Sequence, residues 1–521
     1  MRLAHQVDAI STDNAIMSAP KAGGGERYKN SETSRLLCAA AYLDRQFRNQ
    51  VIKFCLEDKH RAIGPSFGVD MATVVRHCRN AKRKLDSREL WLLLPAMVAV
   101  IVVANSLQVE AFTYRTWGIL LALYLVTFAI CLWFKSRART IVTSNFLRGR
   151  FDPDTMLTED DTPVGYLRAA ETGNVVIYSG FTPFVGSGEN MGGWSFAMDL
   201  SKRADSVMES SLSGAELTTD VPITKEAIAP KEVSLEALYA CVARAINGLQ
   251  LDRVTIEDKL YINGQDIRDD KRFLEDPLAR PLNQVDEQAV TRAMLEQSEK
   301  QLRHYRCVRV VDWSGEMVLS IFLRFSKLSY NLFVEASYFL LTPVGERFRQ
   351  VDSMSPHFSF GRFFKMLVFT AVATPFVTLY SPFVLLGRIQ ERIQRWSAHR
   401  QEKKQILDNP TFDYGASFSF RQWASPHEYR RYFQRLDKEM YFKVLEKNIL
   451  DSILTFLEEN NVDVSELKQR QSMILNNGLI LSGGSMTAEN LSVGAGAKVE
   501  TVKQKVSQFA AKAVAAGKQS N

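Results

Sequence analysis

Two apolar runs, Leu90–Leu107 and Trp117–Phe134, carry no charged residue and are separated by a short connector. At 1.5 Å of rise per residue, each makes a helix of about 27 Å, close to the thickness of a bilayer's hydrocarbon core. A helix suits that setting because it satisfies its own backbone hydrogen bonds. The pattern predicts a transmembrane helical hairpin over 90–134, with Trp91, Trp117 and Trp133 near the interfaces. Basic residues gather on both flanks: Arg76, Arg79, Lys82, Arg83, Lys84 and Arg88 before, Lys135, Arg137, Arg139, Arg148 and Arg150 after. The connector holds only Arg115, balanced by Glu110. The positive-inside bias then puts both flanks in the cytoplasm. The expected location is the plasma membrane (cell inner membrane), multi-pass, with the N-terminus and main domain cytoplasmic. A buried hairpin in a soluble protein fits less well, because core helices rarely run this long without a charge. No signal peptide is expected, since Met1–Ser34 has no apolar core segment.

The pattern around the hairpin changes period several times. Residues 1–34 are polar, with glycines at 23–25, and are expected to be disordered. Residues 35–89 show helical spacing through Leu37, Ala41, Phe47, Val51 and Phe54, and again over Val69–Lys84, and predict a small cytoplasmic helical region. Residues 135–160 read as a basic connector. Asn174–Tyr178 and Trp194–Leu200 read as strands around a Gly-rich turn, and 202–232 as a long polar insertion. Ser234 caps a helix whose Leu235, Leu238, Val242, Ile246 and Leu249 share a face. Val254–Ile262 and His304–Trp313 read as strands, with a polar-faced helix over Gln284–Arg303 between them. Glu316–Leu341 is apolar, but its period is two: Met317, Leu319, Ile321, Leu323 and Phe325 fall on one face. Arg324, Lys327 and Glu335 would be costly in lipid. Two antiparallel strands sharing one core face are expected there. Residues 161–345 thus predict a cytoplasmic α+β domain with a largely antiparallel sheet.

A third uncharged run, Met366–Leu386, is long enough to span but holds Pro375 and Pro382. Arg362 and Lys365 precede it, and Arg388, Arg392, Arg395 and Arg400 follow. Charge asks for both ends inside, which a proline-bent re-entrant segment over 366–387 satisfies and a single span does not; both readings stay open, with a cytoplasmic C-terminus preferred. Residues 388–424 read as a basic linker. Ser425-Pro426-His427-Glu428 reads as a capping box opening an amphipathic helix over 425–460, with Tyr429, Phe433, Leu436, Met440, Leu445, Ile449, Ile453 and Phe456 on its apolar side. Residues 473–500 form a Gly-rich short β segment and 501–521 a tail. The fold class is a membrane protein with an α+β cytoplasmic domain: an N-terminal helical region, a transmembrane hairpin, a sheet domain, a third Pro-bent membrane segment and a C-terminal helix.

Composition adds little to this picture. The chain has 521 residues, 46% apolar and 24% charged, and a formal net charge of +7. Much of the positive excess flanks the apolar runs, so it reads as topology and contact with anionic headgroups. No nucleic-acid partner is expected, because no basic stripe with interleaved aromatics occurs. The six cysteines form no CxxC pair and read as reduced thiols. His77 and Cys78 are adjacent and point about 100° apart on a helix, a poor metal pair.

Candidate chemistry is sparse. Gly186-Ser187-Gly188 followed by Gly192-Gly193 could let backbone amides approach a phosphate. No GK[ST] follows and the protein-kinase motifs are missing, so a hairpin needing positive φ is the plainer explanation. No GxSxG occurs, Asp312-Trp313 reads as a structural corner, and no catalytic residue, metal ligand or cofactor is expected. Val310–Glu316, Leu332–Leu341 and Ile474–Gly484 resemble uncharacterised multi-pass membrane proteins of actinobacterial type. That resemblance implies a bacterial inner-membrane protein and supplies no catalytic residue. Leu479–Val499 resembles one or two rungs of a bactofilin-like β-solenoid, which implies stacking on a second copy. The expected function is a membrane-anchored interaction or scaffold protein with a protein partner or homo-oligomer. The alternatives are a nucleotide- or phosphate-binding membrane enzyme using the 186–193 loop, and an oligomeric pore or transport component.

Overall fold

The computed structural model describes residues 28–85, 87–108, 113–153, 164–202, 231–251, 253–297, 299–355 and 360–476. Helix α1 (Glu32–Leu43) is capped by Ser31, whose Oγ accepts from the Ser34 amide at 3.0 Å. It therefore starts inside the stretch expected to be disordered. Helix α2 (Arg45–Ile52) is capped by Asp44 and runs into a π turn at Lys53–Glu57. Helix α3 (Met71–Leu85) follows. These helices do not form a separate small region. Leu37, Phe47 and Val74 share one apolar cluster with Phe146, Phe348 and Phe420. Segments hundreds of residues apart complete each other's core, which no local periodicity reveals.

Helices α4 (Arg88–Gln108) and α5 (Tyr114–Asn145) pack on each other as the expected hairpin. Helix α5 continues well into the predicted basic connector, because nothing before Gly149 breaks it. A short helix, α6 (Val164–Thr172), precedes the sheet.

The sheet has six strands: β1 (Val175–Tyr178), β2 (Glu189–Asp199), β3 (Val254–Asn263), β4 (Arg303–Asp312), β5 (Met317–Leu328) and β6 (Asn331–Leu341). Their order is β1-β3-β4-β5-β6-β2. Strands β3 to β6 form an antiparallel meander, β2 pairs antiparallel with β6, and β1 pairs parallel with β3. The expected hairpin of β1 and β2 is thus corrected: they occupy opposite edges. The meander uses up its own inner edges, so only the two outer ones remain for β1 and β2. A second correction concerns β5, where every residue from Met317 to Leu323 is buried. Both faces are covered. Helices α7 (Leu235–Gly248) and α8 (Glu287–Glu296) lie on one face. Phe67 and Phe184 cover the other, Phe184 stacking on Phe322 with ring centroids 4.0 Å apart. Helix α8 is shorter than the 284–303 reading because Gln297 turns left-handed (φ 45°) to redirect the chain into β4.

Helix α9 (Phe360–Asp408) is one uninterrupted helix of 49 residues that includes Pro375 and Pro382. Helical structure thus continues through the 366–387 segment and over 388–408, where a linker is expected. Proline 375 has no N–H to offer the carbonyl four residues earlier, Ala371. The Tyr124 hydroxyl of α5 donates to that carbonyl at 3.0 Å, so the freed acceptor is satisfied from a neighbouring helix. Beyond α9, residues 412–416 lie along β1, with Ala416 bridging Tyr178. A short helix α10 (Phe420–Trp423) follows.

Helix α11 spans Tyr432–Glu459, so the capping box predicted at 425–428 does not open it. Gln434 instead accepts the Arg431 amide at 3.1 Å. Its predicted apolar side is really two sides. Leu445, Ile449 and Ile453 are buried on α7 and the sheet, whereas Phe433, Leu436 and Met440 are exposed. At 100° per residue these two sets face opposite ways. Helix α12 (Ser465–Asn476) ends the description; one compact unit runs to Gln471 and a second begins at Ser472. The polar insertion at 203–230 and everything from 477 on, including most of the Gly-rich β segment and the tail, lie outside the described residues.

Candidate functional site

The glycine-rich segment is packed by protein backbone. Gly186 (φ 84°) donates its amide to Gln422 Oε1 at 2.9 Å, and a Cβ there would collide with the Pro65 carbonyl. Ser187 is buried and its amide bonds the Phe184 carbonyl at 3.2 Å. Gly188 (φ 96°) leaves no room for a Cβ beside the Leu340 carbonyl, and Gly193 none beside that of Ala336. Gly192 sits at a β-bulge and donates to Asn190 Oδ1 at 2.8 Å. The Gly186, Ser187 and Gly192 amides that a phosphate would need are already engaged. The segment follows Phe184, which lies over the sheet, and leads into β2 against β6.

The most concentrated polar chemistry lies on the β3–β4 pair, where successive side chains alternate faces. On one face Glu257 accepts from Arg309 at 3.0 Å and pairs with Lys259 at 3.3 Å. Burial opposes ionisation of Glu257, but Lys259 and Arg309 outweigh it and hold the carboxyl at about 2. On the other face Asp258 Oδ1 accepts from His304 Nε2 and Arg306 Nε, both at 2.9 Å, and Oδ2 accepts from Arg306 Nη2 at 2.8 Å. Burial again opposes the charge, and these hydrogen bonds bring Asp258 to about 2. Arg306 also lies over the Tyr239 ring, whose edge meets His304 at a centroid separation of 5.2 Å.

This is the donor set of an oriented histidine: a fixed carboxylate on one ring nitrogen, the other free to act as base. His304 Nδ1 is buried without a hydrogen-bond partner. No hydroxyl or thiol hydrogen-bonds this nitrogen among the described residues, as the nucleophile of a triad would. His304 also lines a pocket of about 110 Å³ with Gln297, Glu299, Lys300, Arg303 and Arg324. Three cations, Lys300, Arg303 and Arg324, stand against one acid, Glu299, around that pocket.

A second polar centre is wholly internal. Arg421, 0% exposed, donates to the carbonyls of Gly315, Glu316 and Thr342 at 2.9–3.1 Å. Burial lowers its guanidinium to about 10. Glu316 receives Arg349 at 2.7 Å and Gln434 at 3.0 Å. Trp313 and Ser314 take positive φ at this corner, and the Trp313 indole donates to Asp437 at 3.0 Å. Asp312-Trp313 is thus a structural corner. None of the six cysteines forms a disulfide, and burial pushes Cys55 up to about 12 and Cys307 to about 11, so neither is a poised nucleophile. The sequence reading missed Asp258, His304 and Arg306. Their alternation at even positions on paired strands was the available signal, but pairing register is needed to bring them together.

An AbeC-like domain model matches residues 193–487, more than half of the chain, and the protein belongs to that family. The match begins within β2, and contains both the Asp258–His304 pair and helix α9. No curated protein and no solved structure matches the chain.

Proposed function

We propose that this protein is a membrane-anchored interaction protein whose sheet body binds a protein partner, first of all a second copy of the chain. Three helices are long and apolar enough to cross a membrane: Leu90–Leu107, Tyr114–Asn145 and the Phe363–Tyr380 part of α9. The observation that carries the binding role lies outside them. Phe433, Leu436, Met440 and Val444 form an exposed apolar stripe on α11, at helical spacing and 65% exposed at Phe433. Monomer surfaces seldom leave such a stripe uncovered. The same helix is buried from Leu445 onward, so the stripe rests on a rigid base. Full-length protein in detergent should self-associate or retain a reproducible partner, and Leu436→Asp with Met440→Asp should abolish this without loss of fold. A monodisperse wild-type monomer without partner would sink the reading.

The body is assigned to the cytoplasmic side. Phe348 before α9, Ile406 in its last turn and Phe412 after it all pack into the body's apolar clusters, which supports a common side for the C-terminal part and the N-terminal helices. A cysteine at exposed Thr411 should react with a membrane-impermeant reagent only after permeabilisation. Labelling of intact cells would reverse the assignment.

A second reading rests on the cationic pocket at His304. It would hold a phosphate-sized anion in place of the nucleotide expected at the glycine loop. Stabilisation by inorganic phosphate that Arg324→Gln removes would support it, and no response would retire it.

A further inference from the structure

One group of side chains outside these sites has the makeup of a metal centre. His60, His399 and Glu402 each offer a ligand atom, and these atoms lie within 4.8 Å of one another. His399 and Glu402 are three residues apart on α9 and so project from one face of the helix. His60 comes from the loop after the π turn, and its ring stacks on that of His399 at 5.4 Å and 16°. The decisive atom is His60 Nε2. His60 is only 3% exposed, and its Nδ1 bonds the Leu278 carbonyl at 2.9 Å. A carbonyl only accepts, so Nδ1 carries the proton. Nε2 has no hydrogen-bond partner. A protonated Nε2 would bury an unsatisfied donor, so this nitrogen keeps a lone pair. A carbonyl on one ring nitrogen with the other left bare is how proteins prepare a metal-binding imidazole.

We propose that His60, His399 and Glu402 bind a zinc-class divalent transition metal ion, which latches the last turns of α9 to the sheet body. Two imidazoles and a carboxylate with a fourth position for water match known zinc donor sets. Nitrogen donors disfavour magnesium and calcium. Metal–nitrogen bonds of about 2.0–2.1 Å require ligand atoms about 3.3 Å apart, so the partly exposed His399 and Glu402 must rotate slightly inward. Arg61 is the competing cation, 3.8 Å from Glu402. It also donates to Asp58 at 3.4 Å and to the Asp413 carbonyl at 3.3 Å, so it keeps partners when the metal takes Glu402. The latch would add a metal-dependent tie to the packing of Ala62 and Ile406 between the loop at residue 60 and α9.

The test uses full-length protein in detergent, stripped with chelator and titrated with Zn²⁺ against a chromophoric competitor. One zinc per chain is expected, with a higher melting temperature on loading and no response to Mg²⁺. Substituting Co²⁺ should give the intense visible bands of a four- or five-coordinate ion. Because His60 is buried, the variants are His399→Ala and Glu402→Gln, whose metal-free melting temperatures should match wild type. Each should weaken zinc binding at least tenfold and remove the melting shift. Wild-type protein without stoichiometric zinc, or variants that bind as tightly as wild type, would overturn the proposal.

Discussion

The sheet body and the apolar helices use the same kinds of side chain and place them oppositely. In β5 seven consecutive residues are buried, whereas Val100 of α4 and Leu125 of α5 are 59% and 55% exposed. The body also buries charge, at Lys259, Arg309 and Arg421, and gives each at least one acceptor. The helices exclude charge from their central runs and satisfy mainly their own backbones, with Tyr124 of α5 answering Ala371 of α9. The difference is between a body that fills its own interior and three helices long and apolar enough to cross a membrane. One region supplies its own interior and answers most of its buried charges from within. The other leaves an apolar surface that would suit a bilayer's hydrocarbon.

The strongest way to break this contrast is inside the body. Arg421→Met leaves three carbonyls unanswered and Glu316 with one cation fewer nearby. A loss of about 3–5 kcal/mol is expected from chemical denaturation, as for other broken buried charge networks. The mirror experiment puts a charge where only apolar surface belongs. Leu125→Asp should cost about 2.5–3.5 kcal/mol of membrane insertion, read from the inserted fraction. An unchanged fraction would mean that α5 does not sit in lipid.

Gly188→Val sharpens the contrast within the loop that covers the sheet. Positive φ and the Leu340 carbonyl both oppose a side chain, so about 2 kcal/mol or more of stability should be lost. Response to phosphate ligands should not change, since this loop's work is packing. The smallest effect is electrostatic. Glu257 and Asp258 are held at about 2, below the unfolded-state range near 4. Depressed acids contribute stability that is full above the unfolded value and is lost as pH falls towards the folded one. Melting temperature should therefore decline from about pH 4.5 towards pH 2, and Asp258→Asn should flatten part of that decline. Both carboxylates are partly exposed, so the effect is screened.

Much of the local structure was legible in the residues. The hairpin follows from two uncharged runs with basic flanks, and β5 and β6 follow from alternation at period two. Ser234 caps α7 as its position suggests, with Oγ accepting the Ala237 amide at 3.4 Å. The candidate site was less legible. The glycines at 186–193 drew notice as a ligand loop, yet their neighbours are Pro65, Leu340 and Gln422, far away in sequence. Asp258 and His304 went unnoticed, because 46 positions separate them and only the β3–β4 register joins them.

The sequence by itself determined what each segment could be: which runs suit lipid, which alternate, and where turns and caps fall. These depend on interactions within a few residues, and composition records them directly. Only the tertiary structure decided how the segments answer one another. It sent β1 and β2 to opposite sheet edges, because the meander left no inner edge. It kept α9 continuous through Pro375, because Tyr124 supplies the donor that proline lacks. It split the apolar residues of α11 between a buried and an exposed side, because α7 and the sheet cover only one. Each outcome turns on a partner brought close by folding, and a partner's identity is written nowhere near the residue it satisfies.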